Sequence, residues 1–127
     1  MKEKAAIGID IGGTNTAYGF VNEKGNILFE DKIKSKGWSD VHEYISLLSG
    51  NIKRIWEFEL KHCELTGIGI GAPNGNYFSE SIEFAPNLEF KGVIPLVKLI
   101  KEHFDVPVIL TNDANAGALG EKLYGGA

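Results

Sequence analysis

"AIGIDIGGTNTAYGF", residues 6–20, decides how this chain is read. Residues 5–12, "AAIGIDIG", are β-branched and apolar, the pattern of a buried strand. Residues 16–22, "TAYGFVN", continue as a second strand, so only a glycine turn separates the two. The pair Gly12–Gly13 lets the backbone turn with positive φ and aim its N–H groups into open space. Such a concavity takes anions, phosphate above all, and Thr14 adds a hydroxyl donor. Asp10 would repel a phosphate unless a cation lay between them, so the acid beside the turn points to Mg²⁺ held through water. Two familiar phosphate loops do not fit. A dinucleotide fingerprint opens a helix, whereas a strand follows here, and a P-loop needs a lysine where this chain has Gly13. A plain hairpin turn is the bland alternative; it has no use for Asp10 and Thr14 together.

Working outward, "NEKGN" (22–26) reads as a hairpin turn on Gly25, followed by a half-exposed strand over 27–35. Residues 39–63 carry an apolar stripe at helical spacing: Val41, Tyr44, Ile45, Leu48, Ile52, Ile55, Trp56 and Leu60. Ser39 or Asp40 can cap that helix, with Glu43 in its first turn. A buried strand is expected over 65–73, then a loop over 74–88 with room for a short hairpin. A second helix is expected over 92–104 with Pro95 in its first turn, a strand over 106–113, and a third helix over 114–126. The order β-β-β-α-β-α-β-α, with a hairpin first and helical crossovers later, predicts an α/β domain on a mixed five-stranded sheet.

The bulk properties agree. The chain has 127 residues, 43% of them hydrophobic and 24% charged, which suits one globular domain. A net charge of −4 argues against nucleic acid or an anionic membrane surface as partner. No signal-like start and no membrane span is legible. Cys63 is the single cysteine, so no internal disulfide can form and a reducing, cytoplasmic setting is expected. His42, His62 and His103 show no metal-ligand spacing with another His, Cys or paired acid, which predicts no metal cage.

Two further stretches carry chemistry. "TNDAN" (111–115) falls where a strand exits into a helix, the edge at which ligands gather in such sheets. Asp113 can cap the helix, but Asn112 and Asn115 beside it suit a polyhydroxyl ligand. "GAPNG" (71–75) and "APNL" (85–88) place Asn74 and Asn87 in loops. Their amides can donate and accept to sugar hydroxyls, or simply close turns.

Taken together, "IGIDIGGTNTAYGFV", "GIGIGAPNG", "FAPNL" and "VILTNDANAGALGE" resemble, in order, the signatures of the ROK sugar kinases, and among them the glucokinases. The resemblance spans residues 7–121. It implies a ribonuclease H-like lobe of the actin/hexokinase type. Gly12, Gly13, Thr14 and Asn15 would contact ATP phosphates, and Asp10 would hold Mg²⁺. Asp113 would be the general base on the sugar 6-hydroxyl, with Asn74, Gly75, Asn87 and Asn112 around the sugar. The implied reaction converts ATP and glucose to ADP and glucose 6-phosphate. N-acetylmannosamine or fructose as substrate, or a non-catalytic sugar-sensing module, are the alternatives.

There are departures. Asn74 stands where the family often has the last glycine of "GAPG". Relatives also have a second lobe with a further phosphate loop and the adenosine pocket, and they are often homodimers. This chain therefore reads as an amino-terminal lobe, inactive alone. Only six residues precede Ile7, which disfavours a repressor with a helix-turn-helix ahead of this lobe.

Overall fold

The computed structural model describes residues 3–38, 40–86 and 88–112. The expected third helix, Ser39, Asn87 and Asp113 lie outside the described residues.

The leading meander forms as the sequence predicts. Strands β1 (Glu3–Ile11), β2 (Asn15–Asn22) and β3 (Ile27–Lys34) pair antiparallel in succession. Gly25 takes φ +85°, a conformation open to glycine without strain. The Asn22 side-chain carbonyl accepts from the N–H groups of Lys24 and Asn26, both at 3.0 Å, and so fixes that turn. Helix α1 (Val41–Glu59) starts on Asp40, whose carboxylate accepts from the His42 N–H at 2.8 Å. Strands β4 (Cys63–Gly71) and β8 (Val108–Thr111) then join in parallel, giving the five-stranded mixed sheet β3-β2-β1-β4-β8.

One register shift organises the sheet. β4 carries an extra residue opposite the Ala5–Ile7 stretch of β1. Beyond it, Ile7 faces Ile68, Gly8 faces Gly69, Ile9 faces Ile70 and Asp10 faces Gly71. Isoleucine meets isoleucine on the face covered by α1, and the small residues meet on the other. Before the shift, Glu3 is paired with Cys63.

The core lies between the sheet and α1. Tyr44, Ile45, Leu48 and Ile52 are buried, as the helical stripe predicts. Phe20 packs edge-on against Trp56 with ring centroids 5.1 Å apart. Each of the fully buried side chains, Phe20 and those four of α1, contributes roughly 2 kcal/mol, and Trp56, partly buried, contributes less.

The structure differs from the expected order in three places. The helix drawn over 39–63 stops at Glu59, because Leu60 caps it and Cys63 is already committed to β1 pairing. The loop over 74–88 contains β5 (Gly75–Asn76) and β6 (Ser81–Glu83), and these join β7 (Val93–Ile94) in a second, three-stranded sheet. The helix expected over 92–104 is shortened to α2 (Leu96–Lys101). Val93 and Ile94 are drawn into strand pairing with Glu83 and Ile82, and Pro95 becomes the residue before the helix rather than part of its first turn. Among the described residues the order is therefore β-β-β-α-β-β-β-β-α-β.

Candidate functional site

The carboxyl ends of β1, β4 and β8 meet at one edge of the sheet. Asp10 is registered with Gly71, and Gly71 with Thr111, so three neighbouring strands end in one row. The row spans two strand spacings, roughly 10 Å. The glycine turn leaves one end of it, and a cleft opens at the other.

The turn is tight for a reason other than the one expected. Among the described residues the positive-φ glycines are Gly25, Gly37 and Gly92; Gly12 and Gly13 are not among them. Glycine is favoured at position 12 by close approach instead. The Gly12 N–H donates to the Asn15 carbonyl at 2.9 Å, and a Cβ on Gly12 would stand 3.0 Å from that oxygen. That N–H closes the turn and does not point into open space. Asp10, Gly12 and Gly13 are half-buried, whereas Thr14 and Asn15 are exposed.

The turn is anchored from below. The Thr14 carbonyl accepts from the Ser35 N–H at 2.9 Å. Beneath it the Thr16 hydroxyl lies 2.6 Å from the Ser35 hydroxyl and 2.5 Å from the Tyr44 hydroxyl, all three residues being buried. Burial pushes the Tyr44 phenol up to about 12, and its hydrogen bonds with Thr16 and Ser35 oppose that rise only in part. This hydroxyl triad was not legible in the sequence. Tyr44 reads there as one more member of the apolar stripe, and nothing local ties it to Thr16.

The cleft has a volume of about 460 Å³, within the usual range for small-molecule sites. It is lined by Asn74, Gly75, Asn76, Glu83, Thr111 and Asn112, with Tyr77 and Phe78 as an exposed aromatic lip. Gly75 presses on the end of β8: a Cβ there would come within 2.5 Å of the Thr111 carbonyl oxygen. The same oxygen accepts from the Ala72 N–H at 3.0 Å. Asn74 takes φ +57°, and its amide donates to the carbonyls of Glu83 and Phe84 at 2.9 and 3.1 Å. Its donors hold the loop. Asn76 donates to one Glu83 carboxylate oxygen at 3.3 Å and the Ser79 hydroxyl to the other at 2.9 Å. Asn76 and Glu83 are cleft residues that sequence reasoning missed, because strands of two and three residues show no periodicity.

Of the site residues expected from the sequence, Asn74, Gly75 and Asn112 come together in the cleft. Asp10, Gly12, Gly13, Thr14 and Asn15 come together at the turn. Asn87 and Asp113 lie outside the described residues. The cleft is lined by amides and one carboxylate, side-chain types that pair with hydroxyls, although the Asn74 amide nitrogen, Asn76 and Glu83 are bonded within the loop itself. The turn brings the half-buried Asp10 next to the exposed Thr14, with its hydroxyl, and the exposed Asn15, while the Gly12 N–H is taken up inside the turn.

Comparisons with known proteins agree in family and diverge in activity. The ROK family profile matches residues 6–127. A glucokinase from Streptomyces coelicolor is 34% identical over 121 residues, covering 94% of this chain and 36% of that protein. A xylose repressor from Caldicellulosiruptor bescii is 37% identical over 122 residues, covering 94% of this chain and 30% of that protein. This chain thus spans about a third of the length of these curated relatives. Among solved structures, a ROK family glucokinase from Streptomyces griseus in complex with glucose and AMPPNP superimposes with TM-score 0.65 at 31% identity, over 95% of this chain and 37% of that one. A ROK hexokinase from Thermus thermophilus superimposes with TM-score 0.73 at 26% identity, over 92% and 38%. Among the described residues no helix is long and apolar enough to cross a membrane.

Proposed function

The chain belongs to the ROK family, and on that premise we propose that it is the amino-terminal, ribonuclease H-like lobe of an ATP-dependent glucokinase. The reaction is transfer of the ATP γ-phosphoryl group to the 6-hydroxyl of glucose. The observation that supports this reading is the row Asp10–Gly71–Thr111, with the glycine turn at one end and a cleft of about 460 Å³ at the other.

On this reading, Gly12 shapes the turn; Gly13, Thr14 and Asn15 face the nucleotide phosphates. Asp10 would hold Mg²⁺, and the ion would supply neutralisation of phosphate charge. Asn112, Asn87 and the Asn74–Gly75 loop surround the sugar. Asp113, next in the chain after Asn112, accepts the hydroxyl proton. Phosphoryl transfer depends mainly on positioning and charge, so a carboxylate with an ordinary pKa serves if the hydroxyl is held against it. The curated relatives are about three times as long as this chain, and on this reading the rest of the nucleotide site lies in a second lobe.

The test is Asp113→Asn in a longer protein carrying this lobe, with a coupled assay for glucose 6-phosphate. Turnover should drop by about a thousandfold or more, with glucose affinity kept within a few-fold. Undiminished turnover would remove Asp113 from the chemistry. The matching xylose repressor favours a second reading, a sugar-responsive module without transfer. In that case no hexose in a panel of glucose, N-acetylmannosamine and fructose is phosphorylated, although a sugar still binds.

A further inference from the structure

At the opposite end of β1 from the proposed phosphate turn, Glu3, His62 and Cys63 each bring one potential metal-ligating atom to a common point. Their donor atoms all lie within 4.8 Å of one another. We propose that these three side chains form a binding site for a borderline-soft divalent cation, with Zn²⁺ the best match.

The strand register makes the site. Glu3 is the partner of Cys63 across the β1–β4 pair, while His62 sits in the turn just ahead of β4, free of strand alternation. The Cys63 N–H donates to the Leu60 carbonyl at 2.7 Å and fixes that turn. One Glu3 carboxylate oxygen accepts from the Asn22 amide at 3.4 Å, and the other faces the Cys63 sulfur at 3.8 Å. The carboxylate is thereby oriented towards the thiol by a neighbour, as metal-ligating carboxylates commonly are. Sixty residues of chain separate the acid from the cysteine, which is why spacing along the sequence gave no sign of a metal.

The donor set selects the ion. One sulfur, one imidazole nitrogen and one carboxylate oxygen suit Zn²⁺ and disfavour Mg²⁺ and Ca²⁺, which take oxygen ligands. Ligand atoms around tetrahedral Zn²⁺ stand roughly 3.5 Å apart. Glu3 and His62 are exposed and can rotate inward to that spacing, whereas Cys63 is buried and stays in place. Three protein ligands leave a fourth position for water. Binding exchanges a proton for the metal: the Cys63 S–H bond breaks, a metal–thiolate bond forms, and H⁺ leaves to solvent. A thiolate and a carboxylate together balance the two positive charges. Glu3 lies seven residues from Asp10 along one strand, roughly 23 Å, so this site is separate from the proposed Mg²⁺ position.

Co²⁺ and Zn²⁺ titrations of the chain test the assignment. Co²⁺ should bind one-to-one with a thiolate-to-cobalt charge-transfer band and the strong visible bands of tetrahedral coordination. Cys63→Ser should abolish the charge-transfer band. His62→Ala and Glu3→Gln, both at exposed positions that leave the fold intact, should each weaken Zn²⁺ binding by at least tenfold in competition with a chromophoric chelator. His42→Ala and His103→Ala should change nothing. Saturating Zn²⁺ should raise the unfolding midpoint of the unsubstituted chain by roughly 5 °C and leave His62→Ala unmoved. Zn²⁺ affinity unchanged in His62→Ala and Glu3→Gln, or a Co²⁺ spectrum without the thiolate band, would overturn the proposal.

Discussion

Asp10 and Thr111 are two strands apart, yet both are registered against Gly71. Gly71 adds no side chain to the row between them. The proposed phosphate end and the proposed sugar end of the site are thus set by backbone pairing, not by a flexible loop, and their separation is fixed at two strand spacings.

The tightest point of that arrangement is Gly75. A methyl group at this position would fall 2.5 Å from a backbone oxygen of β8, which cannot rotate away. Gly75→Ala should therefore destabilise the chain by about 2 kcal/mol, seen as a lower urea midpoint with an unchanged slope. A wild-type midpoint in this variant would show that the loop can lift off β8 without cost.

Gly12→Ala is the milder counterpart. Its Cβ would stand 3.0 Å from the Asn15 carbonyl oxygen, a distance that a small shift of the turn relieves. The expected loss is about 1 kcal/mol, less than at Gly75, with the structural change confined to residues around the turn. Chemical-shift changes that spread into β4 would contradict this ordering.

Tyr44→Phe separates the hydroxyl triad from core packing. The ring contact with Phe90, 5.2 Å between centroids, is kept, and only the buried hydroxyl beside Thr16 is lost. The cost near neutral pH should be about 1 kcal/mol. The folded phenol, pushed up to about 12, stays neutral where the unfolded one ionises from its ordinary value of 10.0. The unfolded state then binds fewer protons, so this stabilisation is complete below pH 10 and is lost as pH rises through about 12. Between those limits the unsubstituted chain should lose on the order of 2 kcal/mol more than Tyr44→Phe. Parallel alkaline unfolding profiles for the two proteins would refute the account.

What the sequence revealed follows from how local each signal is. The β1–β3 meander, the cap at Asp40 and the buried stripe of α1 depend on residues within a few positions of one another, and all were legible. The β5–β7 sheet was not, because its strands are held by pairing between Glu83 and Val93 and carry no repeating pattern of their own. The same pairing converts Val93 and Ile94 from expected helix to strand. Gly12 does not adopt the positive φ that a glycine pair suggests; its spatial constraint comes from the Asn15 carbonyl, which sequence shows only as a nearby residue. The hydroxyl triad and the Glu3–His62–Cys63 group are legible only once strands and helix are paired.

The strand order has an entropic side. The glycine turn is built by neighbouring strands of one meander, so forming it closes only short loops. The cleft exists only after the chain has returned twice to the sheet, through α1 to β4 and again to β8. The first of those returns alone carries on the order of 2 kcal/mol more loop-closure entropy than the turn does. Of the two halves of the row, the phosphate end is a local property of the first third of the chain, and the sugar end is a property of the whole fold.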